Sequence, residues 1–258
     1  MSELTARLRE ILAALAASDP TFKRFGATQH RYELAAPLAD DQVETLGETL
    51  GVSLPEDYLD YVTRLSAGGV GPYYGLLRAD RAAAFVVRAP AGVTAWTRAL
   101  PIAHLGCGYA AVLPLDGPAS GQIWVDARQL GVTAPVRPSF TAFYLDWIDR
   151  VASSQWLDPF VPPGRCPITT ALSGYLGMVE QQLGVAAGSL DGEPLREALA
   201  QLGPGAIEAT ADETLALFHP GDRVDPCVAC ARALQGLSEQ HGLRGDVVAP
   251  GVPALPSR

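Results

Sequence analysis

Residues 43–77 read VETLGETLGVSLPEDYLDYVTRLSAGGVGPYYGLL, and this stretch decides the fold. Asp40 or Asp41 is placed to cap a helix whose apolar side runs Val43, Leu46, Leu50. Gly51 offers the left-handed residue that ends such a helix. Ser53 and Glu56 stand three apart, the spacing of a capping box, with Pro55 in the first turn, where a missing N–H costs nothing. Tyr58, Tyr61, Val62 and Leu65 then share one helical face. Gly68 and Gly69 stop this second helix and permit a sharp reversal. Gly71 and Pro72 prolong the turn, and Tyr73 and Tyr74 follow it. No complete catalytic set lies in the stretch, which favours binding over reaction.

Beyond it the pattern changes to short apolar runs between turn residues: Tyr73 to Leu77, Leu100 to Leu105, Tyr109 to Leu115, and Gln122 to Val125. Asp116-Gly117-Pro118 and Gly121 separate them, so a small, mostly antiparallel sheet is expected. Residues 79–88 contain a helical turn. Pro135 and Pro138 break the chain. Ser139 caps a helix on which Phe140, Phe143, Tyr144, Trp147 and Val151 recur at helical spacing and cover the sheet. Before the quoted stretch, Ser2 caps a first helix with Leu4, Leu8, Ile11, Leu12 and Leu15 on one side, ended by Asp19-Pro20.

These segments in this order resemble the SUKH superfamily, the Smi/Knr-like domains of fungal cell-wall assembly regulators and of many bacterial immunity proteins. The resemblance rests on Leu46-Gly47, Leu50-Gly51-Val52, Leu54-Pro55-Glu56-Asp57-Tyr58 and Gly68-Gly69. It continues through Leu100-Pro101-Ile102, His104 to Tyr109, Leu113 to Asp116, Gly121 to Asp126 and the helix from Ser139. Ala67 departs from the family, which often has Asn before the paired glycines. The resemblance covers residues 30–156. It implies an α+β domain over 1–158 that binds protein without catalysis, as an immunity protein neutralising a cognate toxin. A regulatory scaffold of the same fold is the alternative.

Composition agrees with a folded chain: 48% hydrophobic and 18% charged residues in 258. The formal net charge of −9 disfavours phosphate-backbone binding and suits a basic protein partner. Lys23 is the only lysine, a bias attributed to a GC-rich coding genome. No apolar run reaches membrane-spanning length, no secretory signal is apparent, and four cysteines make no disulfide framework, so a cytoplasmic protein with reduced thiols is expected.

Pro159, Pro162, Pro163 and Gly164 read as a linker to a helical extension over 159–243. Its apolar stripes run from Ile168 to Leu183, Leu195 to Leu202, Leu215 to Phe218 and Val228 to Leu237, the last opened by Pro226. Residues 244–258 form a loosely held tail, and Arg244-Gly245-Asp246 in it is a chance tripeptide.

Candidate chemistry is sparse. Cys227 and Cys230 form a CxxC pair at a helix start. Zinc is one reading, with His219 and His241 completing a tetrahedral set, though without His-x-x-x-His spacing or a second CxxC. Thiol redox is another, opposed by Asp222 and Asp225, which raise a thiol pKa. The third is two small apolar side chains sharing a helix face. Neither metal nor cofactor is assigned. Cys166 has no evident partner. His104 and Cys107 suggest a base and nucleophile, but on one strand their odd separation puts them on opposite faces unless Gly106 bulges, and no orienting third group is evident. The contact surface for a protein partner is expected at Tyr73, Tyr74, Trp124 and Asp126, with His104 nearby. Trp124 and Asp126 share a strand face and offer an aromatic anchor beside an acid.

Overall fold

The computed structural model describes residues 3–160, 166, 177–186 and 225–232. The chain divides into two units: Met1–Leu105 with Tyr109–Phe160, and Gly106–Gly108 with Val161–Arg258. The fold is α+β. In the first unit α1 (Glu3–Ser18), α2 (Ala27–His30), α3 (Asp40–Leu50), α4 (Glu56–Arg64) and α5 (Ala79–Ala82) precede the sheet. Strands β1 (Val87–Arg88), β2 (Arg98–Gly106), β3 (Tyr109–Pro114), β4 (Ile123–Ala127) and β5 (Val132–Arg137) follow, then α6 (Phe140–Ala152). The sheet is an antiparallel meander in sequence order.

Helix α3 ends as its sequence dictates. Gly51 sits at φ 66°, and its N–H donates to the Gly47 carbonyl at 2.8 Å. The helix start differs from expectation. Neither Asp40 nor Asp41 caps it; both lie inside the first turn, and Gln42 Oε1 reaches back to accept the Ala39 N–H at 3.0 Å. Helix α4 also departs: it begins at Glu56, and Ser53 makes no cap. Pro55 holds φ −54°, ψ 139°, an extended conformation from which the helix starts only at the next residue. Asp57 takes the polar role at this end. Its Oδ1 accepts the Tyr58 N–H at 2.9 Å and its Oδ2 accepts the Thr141 N–H at 2.8 Å, joining the first turns of α4 and α6.

Gly68 and Gly69 lie where three backbone segments cross. Gly69 pairs with both Leu34 and Leu76, and Leu76 pairs with Ala103. A Cβ on Gly69 would stand 2.4 Å from the Glu33 carbonyl oxygen, and one on Gly68 would stand 2.8 Å from the Arg78 Cα. No side chain fits at either position, so the paired glycines serve close approach as well as chain reversal. The run from Tyr73 to Leu77 is not a named strand of the sheet, but it lies against β2 through the Leu76 bridge and through the Tyr74 and Leu77 N–H groups, which donate to the His104 and Ile102 carbonyls.

Ser139 caps α6 as expected, its Oγ accepting the Ala142 N–H at 3.2 Å. Phe140, Phe143, Tyr144, Trp147 and Val151 are all buried. Phe140 lies 4.9 Å edge-on from both Tyr58 and Tyr61, ring centre to ring centre. The Tyr61 hydroxyl donates to that of Tyr144 (3.2 Å), which donates to the Val70 carbonyl (3.1 Å). The hydroxyls of Tyr61 and Tyr144 are thereby satisfied, whereas the buried Trp147 indole N–H in the same core has no hydrogen-bond partner among the described residues.

Strand β5 runs through Pro135, where the two prolines Pro135 and Pro138 predict a broken chain. It is an edge strand, and Pro135 is exposed on it opposite Trp124, beside a register shift between Ile123 and Trp124. An edge strand tolerates a residue that cannot donate on its open side. Beyond Phe160, residues 177–183 and 228–232 are helical, in agreement with the first and last of the C-terminal stripes. The stripes at 195–202 and 215–218, and Ser2, lie outside the described residues. No helix among the described residues is long and apolar enough to cross a membrane.

Candidate functional site

The residues expected to face a partner are mostly interior. Tyr73, His104, Trp124 and Asp126 are 4%, 5%, 9% and 6% exposed; only Tyr74 is half-buried. Each has a structural role. The Tyr73 hydroxyl donates to the Asp158 carbonyl at 2.7 Å, and its ring stacks on Phe143. The Tyr74 ring lies 5.3 Å from that of His104. Trp124 packs edge-on against Trp96, and its Nε1 donates to Gln122 Oε1 at 3.2 Å. Asp126 accepts from Arg128 Nε at 2.9 Å, and Arg128 also donates to the Arg88 carbonyl, tying the end of β4 to β1. Trp124 and Asp126 do share a strand face, but that face is covered. Four of the five are buried among these partners, so their side chains offer little surface to a protein partner.

Side chains gather instead in the second unit. Cys107, Cys166, Cys227 and Cys230 place their Sγ atoms within 4.8 Å of one another, and all four are free thiols and buried. The Cys166 and Cys227 sulfurs are 3.1 Å apart, those of Cys107 and Cys230 3.7 Å. The ligands come from three separate segments. Cys107 stands in the turn between β2 and β3, where Gly106, Cys107 and Gly108 take φ values of 87°, 51° and 75°. A Cβ on Gly106 would fall 2.5 Å from both the Cys227 nitrogen and the Pro226 oxygen, so only glycine allows this approach. Cys107 N–H donates to the Asp225 carbonyl at 2.8 Å, and Cys227 N–H donates to Cys107 Sγ at 3.2 Å. These two bonds fix the turn against the CxxC segment. The helix from residue 228 sets the Cys227–Cys230 spacing, and Cys227 O accepts the Ala231 N–H at 2.8 Å.

The electrostatics of the bare cluster are unfavourable to any thiolate. Hydrogen bonding with the thiols of Cys166, Cys227 and Cys230, followed by burial, pushes the Cys107 thiol well up. Cys230 is lowered by its contact with Cys107, but Cys166, Cys227 and burial outweigh this and raise it overall. A reactive redox thiol needs the opposite shift.

Of these four thiols the CxxC motif carries Cys227 and Cys230; His219 and His241, weighed with them for zinc, lie outside the described residues. Among the described residues, Cys107 and Cys166 are the ones that join the CxxC pair. One local signal pointed to Cys107: a cysteine held between two glycines at a hairpin tip. Nothing local marked Cys166. His104 and Cys107, weighed as a catalytic pair, fall in different units.

Comparison of the chain with protein-family models, with curated proteins and with solved structures finds no match.

Proposed function

We propose that this chain is a non-catalytic protein-binding module that engages a basic protein, as an immunity protein engages its toxin, and that α3 presents the acidic face. The observation that supports this is a row of like charges. Asp40, Glu44 and Glu48 follow one another at i, i+4 along α3, and all are exposed. Like-charged pairs at this spacing destabilise a helix by about 0.2–0.5 kcal/mol each. The first-turn acids have a folding reason, since negative charge suits a helix N-terminus. Glu44 and Glu48 have none. No basic residue occurs between Arg31 and Arg64 in the sequence, so no neighbour along the chain offsets the row. Such a surface steers a cationic partner and accelerates encounter.

The SUKH resemblance supplies the immunity reading, and the charge row supplies the chemistry of the partner. The test is co-expression with the product of the adjacent gene. The wild-type chain is expected to protect cells from a toxic product. The variant Glu44→Lys with Glu48→Lys is expected to protect poorly, with an association rate lower by about tenfold or more at low salt. Full protection by the double variant, with no salt dependence of binding, would remove α3 as the docking face. An innocuous neighbour that this chain does not bind would remove the immunity reading.

A further inference from the structure

We infer that Cys107, Cys166, Cys227 and Cys230 bind one zinc ion as a closed tetrathiolate site that organises the second unit. This site does not depend on the partner proposed above.

Zinc bonds thiolate sulfur at about 2.3 Å in tetrahedral geometry, which places ligand sulfurs about 3.8 Å apart. The four Sγ atoms here all lie within 4.8 Å of one another, with pairs at 3.1 and 3.7 Å. Separations changing by about 0.7 Å at the short end and by up to about 1 Å at the long end would complete the tetrahedron. An iron–sulfur cubane sets its thiolates outside a four-iron core and needs a wider cage. Among single divalent ions that accept four thiolates, zinc binds more tightly than ferrous iron. Four protein ligands leave no position open to water or substrate, so the site is structural and not catalytic.

Packing alone does not account for this convergence. A buried cysteine ordinarily behaves as a small apolar side chain and needs no second sulfur. Here four meet from three segments, and the chain accepts backbone strain to bring the first one in. Cys107 is a non-glycine residue at φ 51°, a left-handed conformation that side-chain-bearing residues seldom adopt. The Cys227 N–H aimed at Cys107 Sγ is the kind of outer bond that orients a metal-bound thiolate and disperses its charge. Disulfide pairing of the same cysteines would need each sulfur pair drawn to about 2.05 Å. It would replace one shared centre by two independent links, for which the single compact cluster gives no reason.

The experiment uses the full chain, expressed with added zinc and purified without chelator under reducing conditions. Elemental analysis is expected to find one zinc per chain. Titration of the wild-type protein with an organomercurial is expected to release that zinc as four thiols react, a readout that requires no variant to fold. Replacement by cobalt(II) is expected to give the intense visible absorption of a tetrahedral tetrathiolate. Cys107→Ser and Cys166→Ser should each shift or abolish this spectrum, and His104→Ala should leave it unchanged. A metal-free chain whose four thiols react freely would overturn the inference. So would a chain with no titratable thiols, or a cobalt spectrum indifferent to Cys107→Ser. One iron in place of zinc would overturn the choice of metal.

Discussion

The core between α4 and α6 and the cysteine cluster of the second unit are both dry, yet they are built from opposite materials. The first is a stack of large rings, Tyr58, Tyr61, Phe140, Tyr144 and Trp147, in contact at centroid distances of 4.9–5.3 Å. Each such side chain removes about 150–250 Å² from water, so burial by itself holds the elements together. The second gathers four small side chains whose apolar area is slight and whose thiols hydrogen-bond with one another. Area cannot hold that cluster; an ion can. The contrast teaches that one chain can stabilise neighbouring units by different physics, and that conditions harmless to one should dismantle the other.

The largest expected effect is metal removal. Structural zinc in zinc-finger peptides contributes about 10–16 kcal/mol of apparent binding free energy at neutral pH. Chelation should expose the chain beyond Phe160 to protease while the helix-and-sheet unit keeps its circular dichroism. Mass spectrometry of the fragments locates the cuts. Loss of both units together would break the comparison. The reverse experiment is Trp147→Ala. It should destabilise the first unit by about 3–5 kcal/mol in denaturant and leave the zinc content of the folded protein unchanged.

Acid gives a third separation. Burial lowers the His30 pKa from 6.5 to about 4, against an opposing pull from Asp19. Its Nδ1 accepts the Tyr32 N–H at 3.1 Å, so the neutral ring is the one the fold holds. Below pH 6.5 the unfolded chain takes up a proton that folded His30 refuses until about pH 4. Stability from this group is therefore complete above pH 6.5 and falls by on the order of 3 kcal/mol by pH 4. His30→Gln should flatten that part of the stability profile of the first unit. The smallest effect is expected at Asp57. Asp57→Ala removes the carboxylate shared by the first turns of α4 and α6, at a cost of about 1–2 kcal/mol measured by thermal unfolding.

What was legible in the sequence was local. Gly51, Ser139 and the aromatic periodicity of α6 act through residues within a turn or two, and each appears in the structure as read. Three kinds of feature escaped. Pro135 reads as a strand breaker until it is known to lie on an edge, a fact set by which strands pair. Tyr73 and Trp124 read as surface anchors because large aromatics suit either side of a sheet, and the side is chosen by partners such as Phe143 and Trp96, distant in the chain. The donation from Cys227 N–H to Cys107 Sγ spans 120 residues, and no spacing rule reaches that far. The CxxC pair showed half of a ligand set, and the other half had no local rhythm to betray it.

The hairpin turn that carries Cys107 sets a timetable. The ribosome makes this residue 123 positions before Cys230. Synthesis at about 5–20 residues per second leaves several seconds in which the first unit can fold around β2 and β3 while its turn waits for the other three ligands. Capture of a metal by all four thiols thus has to wait until Cys230 is made. A truncated or stalled chain should emerge with its helices and sheet in order and a solitary cysteine at the tip of a finished hairpin.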